Sequence, residues 1–510
     1  MASLLQGRDN KYASCMVDGD TVYFQAIVAN GADRTWMRID YSESLSGGEL
    51  VSPAHSASVN GLQNEVLRVA IPNLPRGKKY YYRCVFNSSD SSWGVGLAPV
   101  NTHGGAAGDR YFVTQADGLK PFKFAIISDA HLNGYQTHGT DPTEYNSHKD
   151  TILENDLRDE LNKFSQGVLA NAPDFVIWLG DDIFNGSTEA DRITAYRNFG
   201  VACSELGIPQ YHVVGNHELE NLDNFSECFN ETTGKTHRET YLLHPKNHAQ
   251  GQYGYTDYGM VRIIYLTPYA AVDLTDLVNK YGVEMSGGLF TLIGATAPEK
   301  LKFSQEQIDF LQVVTSEGSQ VMNIICLHQF PFFGTNDKHG DTIPTDLLYD
   351  TFGGITKKDA DYSYDADNAH IFNAIKNSGK QSIILTGHNH LYGREVQQDG
   401  IYAFCCPSPT CWRTDPEEGE AGRGGSYPQY SQESDLWYYS FGYYKEGGSI
   451  NPNYNASDNA LANLIVEINP ISETIKTYAI KADATGDKVS DSYIPELEMP
   501  FNLRGSVTIG

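Results

Sequence analysis

Five short segments of the chain carry side chains that ligate metal ions or move protons. They are Asp129-Ala130-His131, Gly180-Asp181-Asp182, Gly215-Asn216-His217-Glu218, His328 and Gly387-His388-Asn389-His390. In an extended chain residues two apart share a face, so Asp129 and His131 reach the same side, as do His388 and His390. Asp181 can bridge two ions, and Asn216 adds a neutral oxygen. Imidazole, carboxylate and amide donors without a thiolate suit Mn, Fe or Zn, and argue against Ca²⁺ or a Cys₄ structural zinc. A dinuclear pair, its ions roughly 3.5–4 Å apart, requires about eight ligand positions and an open bridging water. Such a pair turns bridging water into hydroxide near neutral pH, which attacks phosphorus in line while the metals neutralise charge on the phosphoryl oxygens. One His-x-His alone usually belongs to a surface or a core. The weight lies in all five segments occurring together, each directly after an apolar stretch. The other ten of the 15 histidines, including His138, His148, His212 and His244, are assigned structural or surface roles.

The elements that must position these groups are legible as short apolar strands. They fall at Phe124–Ser128, Phe175–Leu179, Tyr211–Val214, Val261–Leu266, Asn323–Leu327 and Ile383–Thr386. The carboxyl ends of strands are where open α/β sheets bind ligands, and glycines before three of the motifs permit tight turns. Leu153, Leu157, Leu161, Phe164 and Val168 repeat with helical spacing. Ser304 with Gln307 opens a second helix that Gly318 ends, and a third spans roughly Asp365–Asn377. Strands alternating with helices imply a layered α/β domain.

Residues 1–117 read instead as all-β, with runs at Thr21–Ala29, Arg34–Asp40, Gln63–Ile71, Lys79–Phe86 and Arg110–Gln115. Tyr80, Tyr82, Cys84 and Phe86 alternate onto one face. The spacing of Leu74, Pro75, Gly77 and Tyr80 resembles the strand E to F corner of fibronectin type III domains, where a tyrosine closes the turn. Beyond residue 395 the chain returns to β character, notably at Leu461–Ile468 and Thr474–Ile480. The Gly/Tyr-rich stretch 422–447 includes the aromatic run 436–444, read as a strand or packed loop in preference to a platform for a base or sugar. Arg394 is read as a surface arginine.

Composition bounds the partners. The 510 residues, 40% apolar and 20% charged, describe a globular chain of two or three domains. A net charge of −27 repels polyanions and argues against sequence-specific nucleic-acid binding, while leaving room for a small phosphorylated substrate at a local cationic site. No apolar run has the ~20 residues of a membrane span, and the first residues show no signal-peptide pattern. Eight cysteines, none in CxxC spacing, are too sparse for a disulfide scaffold. Compartment and oligomeric state stay open, although the composition would suit an exported enzyme.

The order Asp-x-His, Gly-Asp, Gly-Asn-His-Glu, His, Gly-His-x-His resembles the calcineurin-like metallophosphoesterase superfamily over about residues 123–394. The resemblance implies a four-layer αββα sandwich at 118–394, preceded by a fibronectin III-like sandwich at 1–117. A β-rich segment at 395–510 completes or caps it. It implies one metal held by Asp129, His131, Asp181 and His390, and a second by Asp181, Asn216, His328 and His388. His217 would contact the phosphoryl group and protonate or stabilise the leaving oxygen; Glu218 is read as supporting the ligands from behind or as purely structural, not as a site residue. A β-domain ahead of the catalytic domain is similar to the purple acid phosphatases, yet His131 and Phe184 stand where that branch has glycine and the iron-binding tyrosine. A purple ferric-tyrosinate site is therefore not expected. The Ser/Thr-phosphatase aspartate that orients the motif histidine is also missing, since Phe184-Asn185-Gly186 stands there. The expected activity is phosphomonoester or phosphodiester hydrolysis. The alternatives are a non-catalytic adhesion or glycan-binding protein and a superfamily nuclease, against which the acidic balance weighs.

Overall fold

The computed structural model describes residues 11–28, 34–62, 65–87, 110–116, 118, 120–128, 173–183, 196, 199, 207–215, 218, 229–230, 235–236, 243, 253–266, 305–318, 320–328, 374–375, 377–387, 393–396, 402–406, 444–445, 449–450, 461–469, 471–472, 474–482 and 489–500. Strands β1 (Lys11–Asp18), β2 (Thr21–Val28) and β4 (Val66–Ile71) form one antiparallel sheet. The facing sheet contains β3 (Thr35–Ser42), β5 (Lys79–Asn87) and β6 (Tyr111–Val113), with short strands at Ala54–His55 and Val59–Gly61 beside β3. Tyr80, Tyr82 and Cys84 are buried and Phe86 packs against the same core, as their alternation predicts. Strand β1 had no counterpart among the expected strands. Its mixed polar pattern becomes a strand because it pairs with β2 from Lys11–Val28 to Asp18–Thr21, across a turn at Gly19.

The expected tyrosine corner is built differently. Thr114 closes the turn: its hydroxyl donates to Pro75 O (2.7 Å), accepts from Lys78 N (2.9 Å), and its carbonyl accepts from Gly77 N (3.2 Å). Tyr80 instead stacks on Phe112 at 5.2 Å.

The second body has two six-stranded sheets. In the first, β7 (Phe122–Ile127) pairs in parallel with β8 (Phe175–Trp178), which pairs in parallel with β9 (Gln210–His212). The second begins with β10 (Gly254–Tyr258) antiparallel to β11 (Val261–Tyr265), then β12 (Met322–Cys326) and β13 (Gln381–Thr386) in parallel, and ends with β15 (Tyr402–Cys405) and β14 (Gly393–Val396). C-terminal strands β16 (Leu461–Asn469), β17 (Thr474–Ala482) and β18 (Val489–Pro500) extend the first sheet, with β16 antiparallel to β7. Phe124, Ile126, Phe175, Ile177 and Tyr211 of the first sheet share one apolar core with Ile263, Tyr265, Ile324, Cys326 and Leu385 of the second. The sheets therefore face each other.

Helix α1 (Gln305–Ser316) lies on the far side of the second sheet. The alternation that turns Ile263 and Ile324 inward turns Arg262 and Asn323 outward, where they donate to Val314 O (2.8 Å) and Thr315 O (3.3 Å). Gly318, at φ +83°, ends the helix as its position suggested. The helix expected over 153–168 lies outside the described residues, and of 365–377 only 374–375 and 377 are described, as helical. Among the described residues no helix is long and apolar enough to cross a membrane.

The sandwich docks through backbone and tyrosine contacts. Cys15 bridges Pro209 in parallel, and the Tyr211 hydroxyl donates to Val17 O at 2.6 Å. The Tyr111 hydroxyl donates to Pro173 O at 2.7 Å and Tyr111 N to Gly207 O at 2.9 Å. Gln115 Nε2 donates to Thr256 Oγ1 at 2.9 Å. Pro173, Gly207 and Pro209 precede β8 and β9. The contacts through Pro173, Gly207 and Pro209 thus lie at the amino side of these strands, opposite the ends that carry the motifs.

Candidate metal centre

Strand β8 continues into Leu179, whose N–H donates to Ile127 O (2.8 Å), and the chain then turns sharply. Gly180 lies at φ +90° and Asp181 at φ +50°, the left-handed region that disfavours any residue with a Cβ. Glycine is required at 180 by space as well. A Cβ there would stand 2.6 Å from Gly215 N and 3.0 Å from His328 Cβ. Gly215 is confined in return, because a Cβ would overlap the amide and carboxylate of Asp181. The loops after β8, β9 and β12 therefore meet at van der Waals contact.

Glu218 ties two of these loops together. Its Oε2 accepts from Asp181 N at 3.0 Å and from Gly215 N, and its Oε1 accepts from Asp182 N at 2.7 Å and Ile183 N at 3.3 Å. Burial pushes the Glu218 carboxyl up to about 8, reinforced by the charges of Asp182 and Asp181 and opposed by His328 and the Gly215 N–H. The donors around it are all N–H groups, so the ionised form is the one this cradle serves.

His328 follows β12 through Leu327. Its Nδ1 lies 2.6 Å from Leu179 O, and because a carbonyl only accepts, Nδ1 carries the proton. In the neutral ring Nε2 then presents a lone pair, 3.1 Å from Asp181 Oδ2, and neither side chain has any exposed surface. Two electron-rich atoms facing each other at this range need a proton or a metal cation to join them. Two ligands of one ion, each at about 2.0–2.1 Å and near a right angle, lie about 3 Å apart. The donor set fits a divalent metal: imidazole nitrogen with its other nitrogen fixed by a carbonyl, carboxylate oxygen, and no thiolate. The buried charge fits as well, since Asp181, Asp182 and Glu218 gather here and a cation offsets them.

Asp182 turns elsewhere, its Oδ2 standing 3.3 Å from Nδ1 of His212. The His212 ring lies between Trp178, in a stacked arrangement, and Phe199, edge to face. A structural role for His212 is what the sequence suggested.

Of the expected site residues, Asp181 and His328 are brought together. Asp129, His131, Asn216, His217, His388 and His390 lie outside the described residues, as does Phe184. Main chain leading into three of their segments is described. Ile127 accepts from Leu179, Gly215 abuts Gly180, and Gly387 N donates to His328 O at 2.8 Å. Among the described residues no group of three or more His, Cys, Asp and Glu side chains is arranged to hold a metal. Arg394 lies on strand β14, and of the aromatic run only Tyr444 is described, in a two-residue strand. Sequence reasoning missed the cradle around Glu218. Its only local signal is adjacency to Gly-Asn-His, while three of its donors lie 35 to 37 residues upstream.

Comparison with known proteins places these loops in context. The family model Metallophos, calcineurin-like phosphoesterase, matches residues 122–406. No curated protein matches the chain. A purple acid phosphatase from yellow lupin (Lupinus luteus) seeds is similar over 95% of this chain and 73% of its own, at 11% identity and a TM-score of 0.52. A dimetal phosphatase from Danio rerio is similar over 75% of this chain and 99% of its own, at 13% identity and a TM-score of 0.41. At such identities the first likeness is one of fold.

Proposed function

The chain belongs to the calcineurin-like phosphoesterase family, and we propose that it hydrolyses small phosphate esters with two divalent ions. Asp129, His131, Asp181 and His390 hold one ion, and Asp181, Asn216, His328 and His388 the other. The observation that carries this reading is the buried meeting of Asp181 Oδ2 and His328 Nε2, 3.1 Å apart at the carboxyl ends of β8 and β12. The surrounding fold is read as a four-layer αββα sandwich at 118–394, with a fibronectin III-like domain at 1–117 and a β-rich segment at 395–510 completing or capping the catalytic domain.

Bound divalent ions supply a nucleophile from water at neutral pH and offset charge on the phosphoryl oxygens. The protein's own part is orientation. Leu179 O holds the tautomer of His328 that offers Nε2. The left-handed turn at Gly180–Asp181 aims the Asp181 carboxylate at that nitrogen. His217, the chain neighbour of Glu218, gives a proton to the leaving oxygen.

The test is a panel of p-nitrophenyl phosphate, bis-p-nitrophenyl phosphate and nucleotides, scanned with Mn²⁺, Fe²⁺ and Zn²⁺. Turnover of one ester class is expected, together with two metals per chain by elemental analysis. His217→Ala should lower kcat by about 10²–10⁴-fold with metal content retained. Asp181→Asn should lower both metal content and turnover. A reconstituted protein that binds no metal and cleaves no ester would sink the proposal and favour a non-catalytic binding role.

A further inference from the structure

Glu218 is the side chain at this centre whose role the ligand set does not absorb. It is buried, and each of its two oxygens receives two backbone N–H groups, from Asp181 and Gly215 on one and from Asp182 and Ile183 on the other. Three of those donors are consecutive residues of the turn that contains Asp181, the non-glycine residue at φ +50°. A backbone held in this region is disfavoured and persists only where its surroundings over-determine it. Glu218 supplies that determination. The fourth donor, Gly215, belongs to the loop that carries Asn216 and His217.

We propose that Glu218 is a positioning residue for the reaction. Its carboxylate fixes the left-handed turn that aims Asp181 at His328, and holds that turn in register with the Asn216–His217 loop. The inference rests on the phosphoesterase reading above, and concerns how the metal-binding carboxylate is held. Only a carboxylate fits the cradle. A glutamine of the same length has one acceptor oxygen, and its NH₂ would face two N–H donors. An aspartate keeps both acceptors but is a methylene shorter. In either case the Asp181 turn loses part of its hold.

The experiment uses the full chain stripped of metal, with Mn²⁺ alone as the calorimetric probe and p-nitrophenyl phosphate as the kinetic one. In Glu218→Gln the Mn²⁺ dissociation constant should rise about 10–100-fold and kcat fall by a similar factor. KM should stay within about threefold, and Glu218→Asp should lie between this variant and the wild type. Circular dichroism and thermal melts report whether each variant folds. A merely structural role would lower the melting temperature and leave Mn²⁺ affinity and kcat of the folded protein unchanged. That result overturns the proposal. If Glu218→Gln does not fold, Glu218→Asp decides, and wild-type Mn²⁺ affinity in that variant is equally fatal. A wild-type protein that binds Mn²⁺ yet cleaves no ester sinks the hydrolase reading alone, because the affinity comparison still tests Glu218. A wild-type protein that binds neither Mn²⁺, Fe²⁺ nor Zn²⁺ sinks both.

Discussion

Two glycines, Gly215 at the candidate centre and Gly118 in the stretch before β7, illustrate how differently one substitution acts in different surroundings. A methyl at Gly215 would drive into Asp181 and stand 2.6 Å from Glu218 Oε2. None of these neighbours is the free end of a flexible chain. Gly118, at φ +77°, has nothing within 4 Å of the same methyl. Gly118→Ala should therefore cost only the left-handed preference, about 1–2 kcal/mol. Gly215→Ala should cost at least about 1–3 kcal/mol from overpacking and also lose bound metal. Urea unfolding of both variants, with elemental analysis of each, separates the two effects. Equal metal content in the two would mean that the Gly215–Asp181 contact does not govern the site.

Elements here are stabilised by groups that other elements supply. Helix α1 has no basic residue in its last turn. Its terminal carbonyls are met instead by Arg262 of β11, which donates to Val314 O, and by Lys380, whose Nζ donates to Glu317 O at 2.9 Å. Both are cations at a helix C-terminus, where the dipole favours them. The corner before β5 behaves alike, because its carbonyl and amide are satisfied by Thr114, just after β6, rather than by Tyr80. Thr114→Val keeps the shape and removes the hydroxyl that serves Pro75 O and Lys78 N. A loss of about 1–3 kcal/mol is expected, with kcat unchanged. Denaturant melts and steady-state kinetics check this, and an unaltered midpoint would return the corner to Tyr80.

At the scale of the molecule, the sandwich and the two-sheet body meet at the amino side of β8 and β9, where Asp174 stands. Its Oδ2 accepts from Lys123 N at 3.1 Å, and Lys79 of the sandwich reaches toward it over the Tyr111 ring. Burial pushes this carboxyl from 3.8 up to about 6, opposed by the Lys123 N–H and by the charges of Lys79 and Lys123. Between those values the folded chain holds more protons than the unfolded one, so stability falls as pH rises. The contribution is fully present below pH 3.8 and lost above about 6. Asp174→Asn keeps an acceptor for Lys123 and removes the titration. It should stabilise the protein by about 1–3 kcal/mol at pH 8 and leave it unchanged near pH 3.5. Thermal melts across this range test it, and a variant less stable at pH 8 would show that the pairing with Lys79 outweighs burial.

What the sequence determined by itself was local. Strand periodicity, the stop at Gly318 and the donor types placed at strand ends follow from neighbours a few residues apart, and these carry the family order. The same patterns located β7 to β9 and β11 to β13 within a few residues. Tertiary structure alone decided that β1 becomes a strand, that Thr114 closes the corner, and that the sandwich docks away from the motif-bearing ends. It also decided that Glu218, beyond its near neighbour Gly215, gathers N–H groups from a turn 35 to 37 residues upstream. The reason is physical. A hydrogen bond between distant loops depends on how two sheets are set against each other, and that register is written in no short window of the chain.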